Sequence, residues 1–556
     1  MINELPVEIL HRIFDYLDIQ TIIFSIRYVC KQLYLMTNSY NRYRLNMTSI
    51  SRGHFRWICQ LISMENVIAL ILSDEDQTRG QIQFFLSLCS LEQLTRLQSL
   101  TLLQIDHTRL NIFLQHIITC PFRTLSITLQ TFQPERNPST ISVLSSAIAH
   151  PTLEILSLDI GLKNWNDLSW PDYCTLRYLR IVNSITLDYL CLILGHSPCL
   201  KTLVLKEITI DNEDEIQSIG PFRQVTSLIF EDGQIQILKL DQCLSLMPSL
   251  TYLKLIGNGT FFDWSFDGFQ WQTILQTRLP SLKHLQFFFN ILTSNNYRPS
   301  KIDNLISSYQ TAFWLETLQC SITCEHIRNS QKILLYTHPI RQKHFVYYPN
   351  AKKTSRSNFL TRTNVNDMDD VQQLEVTLTK DMNPLSTTTS QNYLFRHVDD
   401  LKLGNGGDWP KNSLQILSNI LDLSHLVTLS LSISFIPEYM SHTISQIQLL
   451  FNRACNLHSL LLYDYWTPEN CSQRMEIICS IITLNIKHLQ IRVKDFNDIK
   501  YILERLEHLT SVTFEYAQML IINRQELLQS LAYLNRYSST WDSQYALYLW
   551  FGKKKE

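Results

Sequence analysis

The residues whose types and spacing could do chemistry are densest at Cys320-Ser321-Ile322-Thr323-Cys324-Glu325-His326, where two thiols, a carboxylate and an imidazole fall within one short stretch. Thiolate sulfur and imidazole nitrogen are the ligands of a tetrahedral zinc site. Cys320, however, takes an inward position in an alternating apolar pattern, where a small thiol packs as a hydrophobe. We read the group as core and expect neither metal nor cofactor. Other patterns that carry catalysis are missing: there is no phosphate loop, no paired C-x-x-C, no H-E-x-x-H and no G-x-S-x-G elbow. The 16 histidines are dispersed. The expectation is a chain with no catalytic residues, so its elements must be asked what they position instead.

Composition narrows the partners. At 556 residues the chain is long for one globular domain, so several domains or one repeat array is expected. An apolar fraction of 45% is ample for a core, and only 13 glycines argue against a disordered chain. Basic and acidic residues nearly cancel, 48 against 50, so neither nucleic acid nor an anionic membrane finds the basic face it would need. The 13 cysteines are odd in number and scattered, which fits reduced thiols in the cytoplasm and/or nucleus. No charged-then-apolar leader precedes Leu5, and no run approaches the apolar length of a membrane span. Asn46-Met47-Thr48 and Asn258-Gly259-Thr260 match the glycosylation sequon by chance in such a setting.

The first forty-five residues set the organisation. In Leu5-Pro6-Val7-Glu8-Ile9-Leu10-His11-Arg12-Ile13-Phe14-Asp15-Tyr16-Leu17, Pro6 stands where a helix can begin without losing a hydrogen bond. Ile9, Leu10, Ile13, Phe14 and Leu17 then form one helical stripe. Asp18 reads as a stop and a new N-cap, and Ile22, Ile23, Ile26, Val29, Cys30 and Leu33 continue an apolar face to about Met36. Three short helices bury little core, because so small a piece keeps most of its surface wet. Such a module wants a partner.

Residues 1–45 resemble the F-box, through which a receptor subunit docks onto the Skp adaptor of a cullin-RING ubiquitin ligase. Leu5, Pro6, Glu8, Ile9, Leu10, Ile13, Phe14, Tyr16 and Leu17 carry the resemblance, with Val29-Cys30-Lys31 following. Leu33 and Tyr43 stand where the family usually has tryptophans. The resemblance implies that Leu5, Pro6, Ile9, Ile13, Phe14, Leu17, Val29 and Cys30 contact the adaptor, and through it a cullin. A receptor of this kind needs no catalytic group, since it raises the effective concentration of substrate beside a charged conjugating enzyme.

Residues 46–62 read as a helical linker, with Phe55, Trp57, Ile58 and Leu61. Beyond it the phrase apolar-x-x-apolar-x-apolar repeats, with first residues at Val67, Leu97, Phe122, Leu153, Leu176, Leu200, Val225, Leu250, Leu282, Leu315, Val371, Val398, Leu426, Leu457, Ile486 and Leu509. Most copies lie 23 to 33 residues apart, and Ile340 to Phe345 reads as a worn copy in the longest gap. Each phrase has the period of a strand, and helical patterns such as Thr186 to His196 and Ser472 to Thr483 lie between. One strand with one helix cannot bury its own apolar face, so stacked copies make a curved solenoid with a parallel sheet inside.

Residues 63–516 resemble the leucine-rich repeats of F-box proteins, although the usual asparagine after the phrase is rare, as at Asn258 and Asn290. The expected fold is therefore α/β: a three-helix F-box, then a leucine-rich-repeat-like solenoid with its parallel sheet on the concave face. The third, fifth and seventh residues of each phrase point out of that sheet. Across the central copies they include Tyr178, Arg180, Lys206, Glu231, Tyr252, Lys254, His284, Gln286 and Phe288, the candidates for binding a protein substrate. The alternative for each is a solvated face, and for the whole chain a non-ligase interaction scaffold.

Two segments break the rhythm. Lys352 to Asn366 leads into Asp367-Met368-Asp369-Asp370 and reads as a mobile loop, within an insertion at about 340–370. Phe261 to Trp271 holds six aromatics in eleven residues, either packing or a binding patch. Residues 517–556, with Leu527, Leu528, Leu531, Leu534, Trp541, Leu547 and Trp550, read as a helical cap on the last repeat.

Overall fold

The computed structural model describes residues 5–130, 138–161, 168–209, 220–233, 237–261, 266–292, 300–328, 331–348, 353–358, 368–378, 395–405, 412–434, 440–465, 471–516, 538–542 and 546–551. The chain forms two compact units, Met1–Leu253 with Arg278–Leu282, and Lys254–Thr277 with Lys283–Glu556.

The first unit opens with helices α1 (Val7–Phe14) and α2 (Lys31–Ser39), joined by a π-helical turn (Thr21–Ser25) and a 3-10 turn (Ile26–Tyr28). Strands and helices then alternate as β1 (Tyr43–Asn46), α3 (Arg52–Leu61), β2 (Val67–Ser73), α4 (Gln81–Leu88), β3 (Ser99–Ile105), α5 (His107–Ile117), β4 (Thr124–Leu129), α6 (Pro138–Ile148) and β5 (Ile155–Asp159). After them come β6 (Tyr178–Thr186), α7 (Leu187–His196), β7 (Thr202–Thr209), β8 (Ser227–Gly233) and α8 (Ile237–Ser245).

Strands β1 to β8 lie side by side in chain order, all parallel. The phrase explains the register: Leu70, Leu100, Leu125, Leu156, Leu179, Leu203 and Leu228 pair in turn across the sheet. Each of these side chains is at most 1% exposed, and burying one stabilises the fold by about 1.5–3 kcal/mol. A slip of one residue would turn the whole row to the other face, so the pattern fixes the pairing. The strand entrances repeat as well: the amide of Arg123 donates to the carbonyl of Gln98, Glu154 to Arg123, Arg177 to Glu154 and Lys201 to Arg177, at 2.7 to 2.9 Å. Asp106 caps α5 by accepting from the Arg109 amide at 2.9 Å, which satisfies a donor the helix itself cannot.

There follow β9 (Tyr252–Phe261), α9 (Gly268–Arg278), β10 (His284–Leu292), α10 (Ser300–Ser307), β11 (Ile322–Ile327), β12 (Lys332–Thr337), β13 (His344–Tyr347) and β14 (Lys353–Ser357). The chain continues through β15 (Gln373–Leu378), β16 (Asp400–Asn405), α11 (Ser413–Ile420), β17 (Thr428–Ser434), α12 (Met440–Arg453), β18 (Ser459–Tyr465), α13 (Cys471–Ile481) and β19 (His488–Val493). Last come α14 (Phe496–Arg505), β20 (Ser511–Tyr516), β21 (Ser538–Asp542) and β22 (Ala546–Phe551).

Within the second unit, β10, β12, β11 and β14 make an antiparallel run. Strands β13, β15 to β20, β22 and β21 form a nine-stranded sheet, parallel as far as β20. Phe345, Leu374, Leu401, Leu429, Leu460, Leu489, Val512 and Leu549 stand in one row across it. Phe288, Leu334 and Tyr336 of the antiparallel run join the same core. The whole is mixed α/β: a helical N-terminal region, then long and mostly parallel sheets.

Four expectations change. Tyr43–Asn46 is a strand paired with β2, so the helical module passes straight into the sheet, and only α3 of the linker is helical. The copy at Leu315 falls in a π-helical turn, Phe313–Thr317, whereas the worn copy at Ile340 does lead into a strand, β13. Residues 353–357 are not loop but strand β14, whose Arg356 pairs with Asp303 at 2.7 Å; Lys352 and residues 359–366 lie outside the described residues. The tail ends in the hairpin β21–β22 rather than a helix. Leu547, Leu549 and Phe551 alternate into the core, and β22 covers the open edge of β20, whose unpaired backbone groups a helix would not satisfy. Leu527, Leu528, Leu531 and Leu534 lie outside the described residues.

The aromatic segment divides. Phe266 and Trp271 are buried while Phe269 is 55% exposed; Phe262 and Trp264 lie outside the described residues. Gly268 is held against the segment that follows α10: its amide donates to Ser308 Oγ at 2.8 Å, and the indole of the fully buried Trp314 donates to its carbonyl at 3.3 Å. A Cβ at this position would stand 2.7 Å from the Ser308 carbonyl. Gly268→Ala should therefore lower the stability of this unit by about 1–3 kcal/mol, read as a drop in its urea midpoint at unchanged slope.

A second prediction concerns acid. His488 is buried and its Nδ1 lies 2.7 Å from Ser511 Oγ; burial first, then the nearby His458 and Lys487, push it down to about 4. Unfolded, the imidazole takes its proton near pH 6.5, so below that pH the unfolded chain binds a proton that the folded chain refuses. Stability is whole above about pH 6.5 and falls as pH drops through about 4, by on the order of 3 kcal/mol in all. His488→Asn should flatten that part of the stability profile, and an unchanged profile would remove His488 as its source.

Candidate functional site

The N-terminal module is built around α1. Pro6 precedes the helix with φ −55°, and its carbonyl accepts from the amides of Ile9 and Leu10 at 3.1 and 3.2 Å. Leu10 and Phe14 turn inward, 3% and 2% exposed. Phe14 meets Tyr40 edge-on at 5.6 Å, and Tyr40 meets Tyr43 edge-on at 4.9 Å. The Tyr40 hydroxyl donates to Asp15 Oδ1 at 2.7 Å, and Asp15 also pairs with Arg42 at 2.9 Å. The Tyr43 hydroxyl donates to the Thr37 carbonyl at 2.5 Å. Burial pushes both phenols up, that of Tyr43 to about 12 and that of Tyr40 further, with the Asp15 carboxylate adding to the latter. They remain donors at any physiological pH. Asp18 opens the next turn as expected, accepting from the Thr21 amide at 2.8 Å and its hydroxyl at 2.6 Å. Burial alone would raise this carboxyl, but the hydrogen bonds outweigh it and hold it below its usual range.

The other face of α1 is left uncovered by the described residues. Leu5, Ile9 and Ile13 follow one another at helical spacing, 37%, 41% and 43% exposed, with Val7 and Tyr16 beside them. Pro6 is exposed too, Leu17 and Cys30 are half-buried, and Val29 is 71% exposed. Of the residues expected to contact an adaptor, Phe14 alone is fully inside, because on a helix packed by α2 the stripe splits into an inner and an outer half. Leu33 is 8% exposed and Tyr43 4%, so both replacements serve the module's own core. Val7, Tyr16 and Tyr28 are outer residues beyond the expected set; Tyr16, three residues after Ile13, had a helical signal, while Val7 and Tyr28 had none.

On the outer face of the first unit's sheet, Arg180 of β6 reaches over β7 to Glu231 of β8, Nε to Oε2 2.9 Å. Tyr178 lies beside this pair, its phenol pushed up by burial and then by Glu231. Lys206 is exposed and Tyr252 half-buried. Tyr178, Arg180 and Glu231 are thus brought together. In the second unit, Lys254 and Gln286 are half-buried and His284 is exposed. Phe288 is not available: it is 8% exposed, packed on Tyr336 at 5.9 Å and Phe345 at 6.0 Å. Its parity in the strand was outward, but the antiparallel run and β13 cover that face.

The Cys320 group is likewise interior, with Cys320, Cys324 and His326 all buried. Burial pushes the Cys320 thiol up to about 11 and the Cys324 thiol up to about 12. Among the described residues no group of three or more His, Cys, Asp or Glu is placed to hold a metal ion. Nor is any helix among them long and apolar enough to cross a membrane.

A family model described as F-box-like matches residues 2–45. The N-terminal module is an F-box-like domain. The match ends within β1, where the domain's last residues enter the sheet. No curated protein matches the chain. F-box proteins are typically non-catalytic adaptors, and F-box-like domains bind Skp-type adaptors, which is the use to which an uncovered apolar strip on α1 is suited.

Proposed function

We propose that this chain is the substrate-recognition subunit of a Skp–cullin–F-box type ubiquitin ligase. The F-box-like domain docks the adaptor through Leu5, Pro6, Ile9, Ile13, Leu17, Val29 and Cys30. The strand–helix units are degenerate leucine-rich repeats, and the outer face of their sheets holds the protein substrate, with Tyr178, Arg180, Lys206, Glu231, Tyr252, Lys254, His284 and Gln286 as contacts. The observation that carries this reading is the F-box-like match at residues 2–45 together with the exposed row Leu5, Ile9, Ile13. The repeat reading is supported by strands that begin at the phrase and pair in chain order.

The test is reconstitution of full-length chain with Skp adaptor, cullin and RING subunit, scored for a joint complex and for ubiquitin transfer to co-purified protein. A deletion through residue 45 would strip β1 from the sheet, so point substitutions on α1 make the cleaner negative control. A complex without transfer would favour a second reading, a non-ligase scaffold, for which the inward-facing Leu33 and Tyr43 speak: neither offers the partner an aromatic surface.

A further inference from the structure

The match to the F-box-like family ends at residue 45, but the exposed apolar surface does not. Helix α3 buries Phe55 and Ile58 completely and turns Trp57 and Leu61, one helical turn apart, outward at 54% and 38% exposure. Of the tryptophans whose side chains the structure describes, Trp170, Trp271, Trp314 and Trp550 are all at most 8% exposed. Among these described tryptophans Trp57 alone is left in solvent. It is not isolated: its ring lies 6.4 Å from that of Phe24, which also packs at a tilt on His54 at 4.4 Å. Phe24 belongs to the π-helical turn of the F-box-like domain, and about one turn further on stand Tyr28 and Val29, 63% and 71% exposed. Phe24 thus joins Trp57 of α3 to the F-box-like segment that carries the exposed Tyr28 and Val29 four and five residues later.

We infer that the adaptor-docking surface extends beyond the F-box-like domain onto α3, with Trp57 as an anchor for the same Skp-type adaptor. The inference rests on the docking reading above and on the ring contact between Trp57 and Phe24, which joins α3 to the F-box-like domain. A large exposed indole on a helix whose opposite face is locked into the core is a preorganised contact, since little freedom is left to lose on binding. Tryptophan is also the residue type that most often carries interface energy. Because α3 lies between β1 and β2, its seat on the adaptor ties the sheet, and not the small module alone, to the ligase.

The experiment measures the affinity of purified adaptor for the full chain and for Trp57→Ala, Trp57→Phe, Leu61→Lys, Ile13→Asp and, as a distant exposed control on α7, Leu192→Ala. Expected are at least a tenfold loss for Trp57→Ala, a smaller loss for Trp57→Phe, a loss for Leu61→Lys, and no change for Leu192→Ala, all at unchanged thermal midpoint. If Ile13→Asp abolishes binding while Trp57→Ala and Leu61→Lys stay within twofold of wild type, the inference falls and the docking reading stands. An equal loss for Leu192→Ala would also overturn it. If the unsubstituted chain does not bind adaptor, the docking reading falls and takes the inference with it.

Discussion

Replacing Ile13 with aspartate, together with Val29→Asp, should abolish capture of the Skp-type adaptor while the chain stays folded. Ile13 is 43% exposed and Val29 71%, so neither substitution removes a core contact, and exposed changes of this kind usually cost under about 0.5 kcal/mol. In the complex the balance reverses. Each apolar side chain buried there contributes about 1.5–3 kcal/mol, and an aspartate in its place must in addition be stripped of water. Two such sites weaken binding by at least about a hundredfold, given about 1.4 kcal/mol per decade. Adaptor pull-down from the full chain, with circular dichroism of the same preparation, checks both halves. Undiminished capture by the double variant would place the docking face elsewhere than α1.

Phe14→Ala, one residue further on, should act by a different route. Phe14 is 2% exposed and closes on Tyr40, whose hydroxyl holds Asp15 and through it Arg42. Truncating a buried phenylalanine costs about 3–5 kcal/mol. That is a large share of what so small a module can have. Capture is again lost, but now with a melting transition displaced to low temperature and the tyrosine near-ultraviolet signal diminished. Phe14→Leu, which keeps most of the volume, should restore the transition and the capture together. If Phe14→Ala lost the adaptor at an unchanged melting transition, Phe14 would be a contact residue after all.

These two neighbours mark how far the sequence could be read. Both are apolar and both lie on the stripe that begins at Ile9, so spacing alone could not say which would face α2 and which would face outward; that depends on where α2 packs. Pro6 and Asp18, whose effects are confined to one helical turn, were legible. So were the strands at Leu70, Leu156 or Leu429, because alternation is written into the phrase itself. Leu315 was misread because its apolar spacing suits a helical turn as well as a strand. Phe288 had the right parity for the outer face, but Tyr336 and Phe345, far along the chain, cover it, and no local pattern announces that. The tail misled for a related reason: Leu547 and Trp550 fit a helix by spacing, while the open edge of β20 that recruits β22 exists only in the folded sheet.

The entry of residues Tyr43–Asn46 into the sheet has a mechanical consequence. Strands β1 and β2 run parallel, so when the N-terminal module is held fast and the chain beyond is pulled, force enters β1 at its start and leaves β2 at its end. The hydrogen bonds between the two strands are then loaded in shear and must yield together, unlike a ladder pulled open one rung at a time. A chain held in this way passes tension between its N-terminal module and the sheet through the shear strength of one short ladder, set by the four residues Tyr43–Asn46 at the end of the F-box-like domain.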